Sequence, residues 1–69
     1  MYYTEIHDMV RKDAAAEGVS IKTLIEDHGI LETTYYKHLR EGTPWRVQDI
    51  KPLSDITGKA PAEILDCIL

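Results

Sequence analysis

The chain is 69 residues long, 43% apolar and 29% charged, with only four glycines and three prolines. That length holds one small domain, and that balance excludes a collagen-like polymer or a disordered tail. Twelve acidic side chains against eight basic ones leave a net charge of −4, so a polyanion can be bound only through a local basic patch. Residues 1–32 carry all of that excess negative charge. Residues 33–51 carry +2, from Lys37, Arg40, Arg46 and Lys51 against Glu41 and Asp49.

A single cysteine, Cys67, excludes an internal disulfide framework and a four-thiolate zinc site. The expected setting is therefore reducing and cytoplasmic. No apolar run approaches the roughly 20 residues of a membrane span. Residues 1–5 show neither the basic region nor the apolar stretch of a leader peptide.

The elements expected are all helical, since no run alternates apolar and polar residues in the manner of a half-buried strand. Thr4 is expected to cap a first helix running to about Glu17, with Ile6, Met9, Val10 and Ala14 on one face. Gly18 stops it. Ser20 then reads as the cap of a second helix, with Val19 and Leu24 as a hydrophobic staple. Leu24 and Ile25 face inward, and Gly29 ends that helix. A third helix from about Glu32 to Glu41 buries Tyr35 and Leu39, one turn apart, and Gly42 closes it. Pro44 makes a turn, and Trp45 is read as a packing residue at the edge of the core.

The fourth helix takes Val47, Ile50, Leu53 and Ile56 as its apolar set. Pro52 sets its start, because proline is tolerated only where no intrahelical N–H bond is required. Either Asp49 caps the helix and Pro52 stands third, or a longer helix bends around the proline; the Asp49 cap is preferred. Gly58 ends it. Pro61 opens a fifth helix over residues 62–69, with Ile64, Leu65, Ile68 and Leu69 apolar. The fold class expected is all-α, five short helices in one domain.

Residues 20–42 read SIKTLIEDHGILETTYYKHLREG. An inward Leu24, a turn at Gly29 followed by apolar Ile30, then buried Tyr35 and Leu39 form a helix, glycine turn, helix skeleton. That skeleton resembles the helix-turn-helix of the lambda repressor and Cro type, the XRE family. VQDIKPLSDITGKAPAEIL resembles the fourth and fifth helices of that family, and TTYYKHLREGTP resembles small phage repressors and repressor modulators. The likeness spans residues 6–65. It implies a lambda repressor-like domain that inserts its third helix into the major groove of DNA, in the cytoplasm of a bacterial host. It also implies that the DNA contacts are Lys22, Thr33, Thr34, Tyr36, Lys37 and Arg40.

Three positions depart from the family pattern. Ile21 stands where the family commonly has Gln, Leu31 where it commonly has a Ser or Thr cap, and Glu32 where a basic residue or Gln is frequent. Aliphatic side chains and a carboxylate suit a groove of phosphates poorly and a protein surface better. Ile21, Leu31 and Glu32 therefore form the alternative, protein-binding set. Two functions follow, a DNA-binding regulator or a repressor modulator (an antirepressor) that grips the DNA-binding domain of another repressor.

No nucleophile–base spacing, phosphate-cradling glycine loop or paired carboxylates point to an enzyme, and no cofactor is implied. His7, His28 and His38 fall in separate elements without ligand spacing. Cys67 is read as a small apolar residue. The apolar excess of Ile64, Leu65, Ile68 and Leu69 is the candidate seam of a homodimer.

Overall fold

The computed structural model describes residues 1–68, and Leu69 lies outside them. Five helices follow one another: α1 (Thr4–Glu17), α2 (Ile21–Asp27), α3 (Glu32–Glu41), α4 (Val47–Thr57) and α5 (Pro61–Ile68). There is no strand among the described residues. The all-α class expected from the periodicity is the one observed.

The core is a single cluster fed by every helix. Ile6, Val10 and Ala14 come from α1, and Leu24 and Ile25 from α2. Tyr35 and Leu39 come from α3, Ile50, Leu53 and Ile56 from α4, and Ile64 from α5. Ile30 and Trp45 enter from the connections. α1 packs against α2, α4 and α5, whereas the main helical neighbour of α3 is α2. One broad face of α3 is left open to solvent.

Ser20 caps α2 as its chemistry requires, its hydroxyl accepting from the Thr23 N–H at 3.1 Å. Val19 stays 38% exposed while Leu24 is buried.

The start of α1 differs from expectation. Thr4 is the first helical residue, and its hydroxyl donates back to the Met1 carbonyl. Tyr3 takes the cap position at φ +55°, with no side-chain cap bond. It is the only described non-glycine residue at positive φ, a conformation that costs an L-residue about 1–2 kcal/mol.

The start of α4 also differs. Arg46 stands at the cap, and Asp49, expected as the cap, is the third helical residue. Its carboxylate reaches back to accept from the Arg46 N–H at 3.2 Å, satisfying one of the free amides of the first turn. Pro52 therefore stands sixth, inside the helix, where it forgoes a bond to the Gln48 carbonyl. Burial of Ile50, Leu53 and Ile56 on one face offsets that loss. Val47, expected with the core set, is 90% exposed, because the helix starts one turn earlier and its first turn projects past the core.

Candidate functional site

α3 carries five of the six expected DNA contacts. At 100° per residue, Thr33, Lys37 and Arg40 fall on one line of the helix, opposite Tyr35 and Leu39. All three are exposed, and Tyr35 and Leu39 are buried to the last percent or so. Lys22, on the first turn of α2, is exposed too. The two ion pairs among the described residues are Arg11 with Asp8 and Arg46 with Asp49. Among the described residues, Lys22, Lys37 and Arg40 thus stand outside any ion pair, their charge available to an incoming anion.

The other two expected contacts sit differently. Thr34 is half-buried on the flank of the helix. Tyr36, read as a base-reading side chain, is half-buried and packs against the core. Its ring meets Tyr35 edge-on at 5.3 Å and His7 at 6.2 Å. Tyr36 therefore supports the helix as much as it faces outward, because the aromatic layer beneath α3 is wide enough to include it.

The alternative set separates in the same way. Ile21 is half-buried and packs on the core, so it is not a free aliphatic on the rim. Leu31 is 64% exposed at the cap of α3 and makes no side-chain cap bond. Glu32 is half-buried, and its N–H makes a long contact of 3.5 Å to the Glu26 carboxylate. The rim is thus one exposed leucine beside two carboxylates.

The far end of α3 holds what the sequence did not announce. His38 is 6% exposed, although the pattern of apolar residues marks only Tyr35 and Leu39 as core. Its ring stacks on Trp45 with centroids 4.1 Å apart. Its Nδ1–H donates to the Thr43 carbonyl at 2.8 Å, with the Thr43 hydroxyl at the same distance. A carbonyl only accepts, so the proton of that bond is carried by Nδ1. His38 Nε2 and Trp45 Nε1 are both buried without a hydrogen-bond partner among the described residues. The one sequence signal for this histidine is its place one turn before the glycine that closes the helix.

Tyr35 is the polar member of the layer. Its hydroxyl and His7 Nδ1 are hydrogen-bonded at 3.0 Å. Burial, and then the neighbouring Tyr36 hydroxyl, push its ionisation above the ordinary phenol range. Burial and the carboxylate of Glu5 likewise push the Cys67 thiol upward. His28 lies apart, donating from Nδ1 to the Leu24 carbonyl at 2.9 Å. Among the described residues, no three His, Cys, Asp or Glu side chains gather as a metal-binding group. No pocket is found among the same residues.

The residues of the expected dimer seam on α5 have different environments. Ile64 is fully buried in the core and Ile68 is half-buried against it, while Leu65 is 43% exposed. Leu69 lies outside the described residues. Among the described residues of that seam, Ile64 serves the core and Leu65 is the side chain most open to solvent.

No helix among the described residues is long and apolar enough to cross a membrane. No protein-family model, no curated protein and no solved structure matches this chain.

Proposed function

We propose that the protein is a small transcriptional regulator of phage or prophage type that binds double-stranded operator DNA through α3. The observation that carries this reading is the outward line Thr33, Lys37 and Arg40, with both cations outside the ion pairs of the described residues. A rigid helix that presents hydroxyl, ammonium and guanidinium groups on its solvent face has the donors that phosphates and base edges accept. The resemblance of residues 20–42 to the lambda repressor and Cro type supplies the groove, since domains of that kind lay the corresponding helix in the major groove. Lys37, Arg40 and Lys22 hold phosphates, and Thr33 with Thr34 reads bases at the start of the helix. The bacterial cytoplasm is the compartment that this role implies.

The test is a titration of labelled promoter DNA from the neighbouring locus, first with the protein alone and then with the neighbouring repressor present. A specific shift by the protein alone is expected. Lys37→Ala and Arg40→Ala each then flatten the salt dependence by about one unit of slope, the share of one phosphate neutralised by one cation. Unchanged slopes in both variants refute α3 as the reader.

One observation favours a second reading. Leu31 is 64% exposed at the leading end of α3, beside Glu32 and Glu26. An exposed leucine with adjacent carboxylates fits the basic DNA-facing surface of another repressor better than it fits phosphate. Under this antirepressor reading the protein abolishes the shift of the neighbouring repressor without producing one of its own. Leu31→Ser with Glu32→Gln then removes that effect.

A further inference from the structure

The segment ahead of α1 crosses the C-terminal end of α3 and the loop that follows it, and is tied to them at four points. The Tyr2 N–H donates to the Leu39 carbonyl at 2.8 Å, filling one of the acceptors that a helix leaves open in its last turn. The Tyr2 ring lies on Gly42 so closely that a Cβ there would stand 2.8 Å from it. The Tyr3 hydroxyl donates to the Thr43 carbonyl at 3.0 Å, the same oxygen that accepts from His38 Nδ1–H at 2.8 Å. The Tyr3 ring meets Trp45 edge-on at 5.7 Å, and His38 stacks on Trp45. Tyr3 adopts φ +55° where the segment turns from this contact into α1.

Strain is retained at a position only where its surroundings over-determine it. Here they do, because relaxing Tyr3 means giving up the Thr43 bond and the Trp45 edge together. α3 needs such support, since α2 is its main helical neighbour and its last turn continues into the loop at residues 42–46.

We propose that Tyr2 and Tyr3 form a strap that locks the last turn of α3 to the loop entering α4, and so holds Lys37 and Arg40 in a fixed orientation. Tyr2 and Tyr3 are positioning residues. They act through the Leu39 and Thr43 carbonyls and need touch no ligand. The inference rests on the DNA-binding reading only for which ligand the positioned cations meet.

The test uses Tyr3→Phe, which keeps the ring on Trp45 and removes the hydroxyl bond. Tyr2→Ala, which keeps the backbone donor and clears the ring from Gly42, serves as the second variant. Hydrogen exchange reads the lock directly. Amides of the last turn of α3, from His38 to Gly42, are expected to exchange about fivefold to tenfold faster in either variant, while those of Val10 and Ala14 in α1 hold their protection. Acceleration by the same factor in α1, or none in α3, overturns the strap.

Binding to a randomised duplex DNA pool reads its consequence. Tyr3→Phe is expected to bind about threefold to tenfold more weakly with an unchanged salt slope, because every phosphate keeps its cation. Lys37→Ala, by contrast, lowers the slope. Faster exchange in α3 with unaltered DNA affinity overturns the positioning role. If the unaltered protein binds no duplex, the DNA-binding reading falls, and the exchange measurement alone decides the strap.

Discussion

Leu39 and Leu31 belong to the same short stretch of chain and have opposite environments, so the pair isolates what burial contributes. Leu39 is 1% exposed in the common core, and Leu31 is 64% exposed at the helix cap. Leu39→Ala removes a fully buried side chain and leaves a cavity, at a cost of about 2–5 kcal/mol. A chain of 69 residues has a total stability of about 3–10 kcal/mol. Its unfolding entropy is about 0.15 kcal/mol/K near the midpoint, so the loss corresponds to a fall in Tm of about 15–30 °C. Leu31→Ala should stay within about 0.5 kcal/mol, or roughly 3 °C. Thermal unfolding followed by helix circular dichroism and by the fluorescence of the single tryptophan, Trp45, measures both variants. A Leu39→Ala protein that melts within a few degrees of the parent, or a Leu31→Ala protein that loses as much as Leu39→Ala, would refute the phase assigned to α3.

Two further outcomes are expected. Tyr35 keeps its proton in the folded state to a higher pH than in the unfolded chain, where a phenol titrates near 10. Its contribution is fully present below about pH 10 and is lost above it, at up to about 1.4 kcal/mol per pH unit while only the unfolded chain ionises. Tyr35→Phe should therefore show a shallower alkaline fall in urea-derived stability than the parent, and equal slopes count against the burial of that hydroxyl. Ser20→Ala deletes the acceptor for the Thr23 N–H and should cost about 1 kcal/mol, near 7 °C in Tm. Thr4→Ala should cost markedly less, because Thr4 is inside α1 and its hydroxyl caps nothing. Equal losses in these two scans would contradict the cap assignments.

The sequence by itself determined the elements and most of the core. The Ser20 cap, the glycines at 18, 42 and 58, and apolar residues at three- and four-residue steps are local signals, and each acts within one or two turns of helix. That is why α3 begins at Glu32 and ends at Glu41, and why Tyr35 and Leu39 point inward. Helical phase gives the centre of a buried face. It does not give its width. How far burial spreads around α3 depends on what packs there, and Trp45 with the Thr43 carbonyl takes in His38, while His7 and Tyr35 take in half of Tyr36.

Other outcomes needed the whole fold. Whether Pro52 starts α4 or stands inside it was decided by Asp49 reaching back to Arg46 and by the burial of Ile50, Leu53 and Ile56, and the same start leaves Val47 in solvent. α5 gives Ile64 to the core and leaves Leu65 outside, although both are apolar neighbours in sequence. The strap joins residues some forty positions apart, from Tyr3 to Gly42 and Thr43. No local pattern encodes such a contact, because it exists only once α1 and α3 are packed into one core.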